Sequence, residues 1–484
     1  MLSFTTGTRH PLHALLAAAL SGMLLSGLVG CNNAELSTSL TQQLKQEFSI
    51  RKTPHVDSFS RYLELEDALF AELDERVYAR NPTGAAHALE RYSKGSLADP
   101  GERQPNWNRS FELSNASPAG GVLLLHGMSD SPYSLRAIGE TLQQQGYYVV
   151  GLRMPGHGTA PSGLLEVSWQ DMAAVVDLGV ERLLQQVAGA PVHIIGYSTG
   201  AALALDYSLR AELDDALPAP DSLVLISPAI GISAAAGLAK WGRRLSYLPG
   251  LGHLAWLDVM PEFDPYKYNS FATNAAEQVN ALTQSVASRI AARENPQAPL
   301  PPILVLKSTV DATVSNDAVV DRLLSKLAPK RHEMVLFDIN RFAANASLLT
   351  KDPGPFTERM IADEQLPFGL TLVANSSNDS RSVIARYKAP FQGTPSRTET
   401  LEDAWPLGVF SLSHVALPFP TDDALYGQEP PTQKPQLFLG KQALQGERNV
   451  LKIPGDFLLR LRYNPFYNYL EKRTLDWLHI NSGQ

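Results

Sequence analysis

The chain has 484 residues, a formal net charge of −8 at pH 7, a sequence pI near 5.8 and 44% hydrophobic residues. This acidic balance, with no basic cluster, excludes a protein that binds nucleic acid through phosphate contacts. The single cysteine, Cys31, excludes an internal disulfide framework.

Arg9 is followed by the apolar stretch Leu15 to Val29, and no acidic residue precedes Glu35. That is the pattern of a cleaved secretory signal over residues 1–30 rather than of a structural helix. It ends in Leu28-Val29-Gly30-Cys31, which resembles the lipobox of bacterial lipoproteins. The resemblance implies that Cys31 is lipidated and becomes the mature N-terminus, and Asn32 favours the outer membrane of a diderm bacterium as the destination. Residues 31–58, rich in Gln, Ser and Thr, read as a tether. Tyr62 to Tyr78 then carries Leu63, Leu65, Leu69, Leu73 and Val77 at helical spacing, so it should pack on a core.

The next strong signal is Gly121 to Leu125, a buried-strand pattern running into His126-Gly127-Met128. Arg153-Met154-Pro155-Gly156-His157-Gly158 follows as a loop. Val192 to Ile195 is a second apolar run, leading into Gly196-Tyr197-Ser198-Thr199-Gly200 and then the Ala- and Leu-rich Ala201 to Leu209. Strand, sharp turn and helix in that order force the Ser198 hydroxyl out of the backbone, and the two glycines let strand and helix close in behind it. Ser198 is therefore the candidate nucleophile. Negative charge that develops on a substrate carbonyl needs two amide donors; the Thr199 amide is one, and Met128, after the early strand, supplies the other.

The segment from Gly120 to Leu209, with its LLLHGMSDSPYSL, RMPGHG and GYSTG stretches, resembles the α/β-hydrolases of the monoacylglycerol lipase, carboxylesterase and serine aminopeptidase group. The resemblance implies an α/β-hydrolase fold, a mostly parallel sheet with helices on both faces, and a helical cap. It also implies a serine hydrolase without a metal or organic cofactor. In that fold the acid and then the base follow the serine, each just past a later strand. Pro302 to Leu306 is such a strand, and Asp311 follows it; Asp317 and Asp321 fall in a helix pattern, Asn316 to Leu327, as a solvated face. Leu407 to Ser413 reads as another short strand, with His414 directly after it. His126 and His157 precede the serine, His193 lies inside a strand, and His332 and His479 read as surface. Strand-like Met334 to Phe337 and Thr371 to Ala374 fill the interval between Asp311 and His414, so an extra excursion of the sheet is expected.

The organisation expected is therefore a core over 59–228, a cap insertion over 229–300, and the rest of the core over 301–484. Trp241, Leu248, Leu254, Trp256, Leu257, Val259 and Met260 of the insertion are candidates to line an acyl pocket. Carboxylic esters, small or lipid, are the expected substrates. A peptidase would need a carboxylate to hold a substrate amino group, and Asp258, Glu262 and Asp264 are placed for that. A non-catalytic scaffold would have no use for three roles filled in order. The base should titrate near the ordinary histidine value, about 6.5.

Overall fold

A computed structural model describes residues 36–231, 252–293, 300–311, 314–343, 349, 351–430, 432, 437–440 and 460–482. The signal, Cys31, Trp241 and Leu248 lie outside the described residues.

The strands, in chain order, are β1 (Phe111–Leu113), β2 (Gly121–Leu125), β3 (Tyr148–Leu152), β4 (Val192–Tyr197), β5 (Ser222–Ile226), β6 (Trp256–Asp258), β7 (Phe271–Ala272), β8 (Ile303–Ser308), β9 (Glu333–Phe337), β10 (Gly369–Asn375), β11 (Ser382–Lys388) and β12 (Arg397–Ala404). Ten of them form one sheet in the order β1-β3-β2-β4-β5-β8-β9-β10-β11-β12, and β6 and β7 pair separately. From β3 to β10 every neighbour is parallel, while β1, β11 and β12 are antiparallel additions at the edges. Strands β2 to β5 and β8 are buried throughout. They read as unbroken apolar runs because a parallel sheet is covered on both faces.

Alternation along each strand sorts the side chains between two cores. Leu123, Leu125 and Ile194 face one layer, with Val176, Leu203 and Leu282. Val122, Leu124 and Ile195 face the other, with Ile138, Leu470 and Trp477. The first layer holds helices α1 (Phe59–Arg76), α3 (Trp169–Val187), α4 (Thr199–Ala211) and α5 (Thr273–Ala291), and the second holds α2 (Arg136–Gln144) and the C-terminal α8 (Tyr467–Asn481). Two shorter helices, α6 (Asn316–Arg322) and α7 (Gly354–Ala362), flank the later strands. The starts of α1 and α3 are set locally: Ser58 accepts from the Arg61 amide, and Ser168 with Asp171 forms a capping box.

Several expectations change here. Residues 36–58 are not a free tether: Leu40, Phe48 and Val56 are buried, and Glu47 binds the buried Arg153 at 3.1 Å. The polar composition hid three well-spaced apolar anchors. Within 229–300, Thr273–Ala291 is no cap element but a core-layer helix packed against α4 and α3. Residues 407–413 form no strand, since Asn340 instead takes the carbonyls of Val409 and Phe410. The excursion of the sheet takes the form of β10, β11 and β12, the last two unforeseen because their polar faces blur the apolar pattern. His332 is buried, its Nδ1 accepting from the Ile303 amide. Among the described residues, no helix is long and apolar enough to cross a membrane.

Candidate active site

β4 ends at Tyr197 and α4 begins at Thr199, so Ser198 alone makes the turn, at φ 53° and ψ −112°. A serine in that region is strained by about 1–3 kcal/mol, which the surrounding packing has to offset. The two glycines provide the closeness. A Cβ on Gly196 would stand 2.5 Å from the Ala201 amide, and one on Gly200 would stand 2.0 Å from the Leu125 carbonyl oxygen and 2.7 Å from that of His126. The first turn of α4 thus abuts the end of β2, and the loop carrying Met128 lies against it. Neither the Met128 nor the Thr199 amide donates to another group among the described residues. One amide donor at the start of a helix and another in the loop packed against it, beside a half-buried serine, are suited to an oxyanion.

The loop after β2 is held by neutral histidines. His126 donates from Nδ1 to the Gly127 carbonyl and accepts the Met154 amide on Nε2. His157 lies on the Pro155 carbonyl through Nδ1, with Nε2 3.2 Å from Met128 Sδ. Burial drives His126 well below its ordinary range and takes His157 down to about 4, so both stay uncharged. Arg153, fully buried, ties the loop after β3, which carries His157, to Glu66 of α1 and Glu47. These are supports of the site; His193, near the start of β4, instead bonds Ser222 and Ser482 away from it.

The other half of the site comes from the C-terminal region. Asp311, in the loop after β8, is buried, with Oδ2 2.5 Å from Nζ of Lys307 and Oδ1 3.1 Å from the Val314 amide. Oδ1 also lies 3.6 Å from Nδ1 of His414. The two candidates that are about a hundred residues apart in sequence thus meet. His414 opens a short 3-10 turn, and its carbonyl takes the Tyr197 hydroxyl at 3.4 Å, which ties the histidine loop to the residue before the serine. Among the described residues none hydrogen-bonds Ser198 Oγ. Catalytic hydrogen bonds without substrate are commonly long. Asp317 and Asp321 are exposed on α6, as expected.

A strained serine between a parallel strand and a helix, followed in chain order by an acid and a histidine past later strands, is one topology's signature. The chain has the alpha/beta hydrolase fold. A model of the Alpha/beta hydrolase family matches residues 122–359, which takes in Ser198 and Asp311 and stops short of His414. The chain is 32% identical over 133 residues to a thermostable monoacylglycerol lipase of a Bacillus species; the match covers 27% of this chain and 50% of the lipase's length. Solved structures of the same fold include the monoacylglycerol lipase of Paleococcus ferrophilus, at 20% identity and TM-score 0.36 over 47% of this chain and 88% of that one. A metagenome-derived lipolytic enzyme matches at 18% identity and TM-score 0.38, over 48% and 87%.

Two side chains of this candidate site escaped the sequence reading. Lys307 is fully buried at the end of β8, on Asp311 and the Val314 carbonyl. The signal was a charged residue ending the run Ile303 to Leu306, which requires a buried partner. Arg460 places Nη2 3.0 Å from His414 Nδ1. The electrostatics follow. Burial alone would raise Asp311, but Lys307, then His414, hold it below the usual carboxylate range. Burial lowers Lys307, with Asp311 opposing. Burial also takes His414 down to about 4; Asp311 acts upward, while Arg460, Lys267 and Lys307 act downward. The expected titration near 6.5 therefore moves to lower pH.

Two of the three carboxylates proposed for a substrate amine are engaged by the protein itself. Glu262 accepts the Asn269 and Ser270 amides. Asp264 accepts the amides of Tyr266 and Lys267 and the Tyr426 hydroxyl. Asp258 is exposed on β6. Of the apolar candidates, Trp256 is buried, Leu254 and Met260 are half-buried, and Leu257 and Val259 are exposed.

Proposed function

We propose that the protein is a serine hydrolase of carboxylic esters, acting through an acyl-enzyme. Ser198 attacks the ester carbonyl, His414 takes its proton and later returns one to the leaving alcohol, and Asp311 holds His414 in the productive orientation. The Met128 and Thr199 amides carry the oxyanion. Water then cleaves the acyl-serine by the same steps in reverse order. The observation that carries this reading is the strained Ser198 backbone, φ 53°, flanked by two amides that donate to no other group among the described residues. Such strain is retained where surrounding structure enforces it for a task. The scheme needs no metal ion or organic cofactor.

Lys307 belongs to this scheme as a positioning residue. By occupying Oδ2 it leaves Oδ1 toward His414, and its charge lets Asp311 remain ionised in a dry setting. Esters are favoured over peptides because Glu262 and Asp264 are spent on the protein's own amides. We also propose that Cys31 is lipidated and holds the enzyme at a bacterial envelope membrane, the outer membrane on the strength of Asn32. Two acyl chains would anchor it firmly where one would not.

The ester reading is tested with p-nitrophenyl esters of rising chain length beside aminoacyl p-nitroanilides. Each buried methylene contributes about 0.8 kcal/mol, so efficiency climbs from acetate toward hexanoate until the pocket is filled. A flat ester series with rapid anilide cleavage would instead establish a peptidase. Cys31→Ser releases the protein from membranes; full retention after a high-salt wash would place the anchor elsewhere.

A further inference from the structure

Nδ1 of His414 has two neighbours of opposite kind, Asp311 Oδ1 at 3.6 Å and Arg460 Nη2 at 3.0 Å. A guanidinium only donates. Its bond therefore uses the Nδ1 lone pair and leaves the ring proton of neutral His414 on Nε2. Proton transfer from Ser198 needs the reverse, a proton on Nδ1 directed at Asp311 and a lone pair on Nε2. The arrangement seen is a resting one, and the guanidinium must find another partner before the histidine can act.

No described carboxylate lies within ion-pair distance of Arg460. The other cations of the site are matched: Lys267 with Asp130 at 3.1 Å, Arg462 with Asp264 at 3.7 Å, and Lys307 with Asp311 at 2.5 Å. Arg460 is also exposed, whereas Lys307 is buried. A guanidinium with no carboxylate partner among the described residues, at the rim of the site's histidine, is suited to a ligand's anion, which it binds as a planar fork.

We infer that Arg460 is the receptor for an anionic group, phosphate or carboxylate, on the ester substrate. The anion draws the guanidinium away from Nδ1, Nε2 gives its proton to water, Nδ1 gains one from water, and Asp311 accepts the new Nδ1–H. A charged ester would thereby assemble the base that cleaves it. This rests on the ester-hydrolase reading of the same site and adds its substrate class.

Binding and turnover test it separately. Calorimetry on the full chain compares glycerol, glycerate and glycerol 3-phosphate. The native protein binds at least one of the two anions about tenfold or more tightly than Arg460→Ala does, the usual scale of a charged hydrogen-bond pair, and salt weakens the binding. The better of the two anions identifies the group; Arg460→Lys keeps part of the affinity, which separates charge recognition from loss of fold. Equal binding by native and Ala proteins would overturn the inference whether or not any ester is cleaved. In turnover, the native enzyme prefers 1-butyrylglycerol 3-phosphate, or 1-butyrylglycerate if the carboxylate binds better, over 1-butyrylglycerol. Arg460→Ala reverses that order, slowing the charged ester and speeding the neutral one, because Nδ1 is no longer occupied. Equal slowing of both would make Arg460 structural. If the native protein cleaves neither ester class, the ester reading fails and calorimetry alone decides the anion site.

Discussion

The serine side of the site and the histidine side are built by different means. Ser198 and the Met128 and Thr199 amides are placed by backbone against backbone, through Gly196 and Gly200, where a single added carbon would meet main chain at 2.0–2.5 Å. Asp311 and His414 are placed by side chains in loops, through Lys307, the Val314 amide and the Tyr197 hydroxyl. The first arrangement has almost no freedom. The second can be tuned, and two cations, Lys307 and Arg460, are positioned to tune it.

The histidine side gives the largest effects when broken. His414→Ala should lower kcat by roughly 10⁴ to 10⁶, by the scale of other triads, and Asp311→Asn by about 10⁴ with the fold retained. Steady-state kinetics with circular dichroism checks both. A smaller loss at Asp311 than at Asp317 would make the exposed residue the acid.

Lys307→Met sharpens the comparison, since it leaves Asp311 buried without its partner. Turnover should fall by about 10- to 100-fold, the scale of one hydrogen bond to a charged group. The pH profile separates positioning from mere stability. Native kcat/KM should rise through about pH 4, where His414 loses its proton, and be level above it. Without the nearby Lys307 charge the acid limb moves to higher pH, and an unmoved limb would make the lysine structural only.

How much of this was legible differs in the same way. The run of Val192 to Tyr197, the glycines and the Ala-rich helix are local, so the elbow could be read from adjacent residues. Asp311 followed from the strand before it. His414 was chosen by chain order and by a strand over 407–413 that does not form; the order led to a histidine that stands 3.6 Å from Asp311, where the local pattern misled. The hairpin of β11 and β12 was missed because the burial of β11 alternates and β12 is exposed almost throughout. Arg460 carried no local signal at all, because its partner is 46 residues away. The docking of residues 36–58 depended on Arg153, a buried charge whose partners Glu47 and Glu66 come from distant segments.

A smaller effect concerns acid stability. His157, His193 and His332 are taken by burial to about 4, and His126 well below its ordinary range. Unfolded, each returns to about 6.5, so the unfolded chain binds more protons as pH falls from 6.5 to 4. Stability is then fully present above about 6.5 and is lost toward 4, by up to about 3 kcal/mol for each of His157, His193 and His332. Urea unfolding at pH 7.5 and pH 5 checks this: the midpoint should fall at pH 5, and a constant midpoint would mean that the buried rings are accessible to protons. Kinetics below pH 5 therefore need brief assays on protein shown to be folded.

The central claim is that Ser198 is an activated nucleophile. Treating the intact protein with a fluorophosphonate and mapping the adduct by mass spectrometry tests it most directly. One adduct on Ser198, abolished in Ser198→Ala together with ester turnover, is the result this account requires. An adduct elsewhere, or a Ser198→Ala variant that still hydrolyses esters at near the native rate, would contradict it.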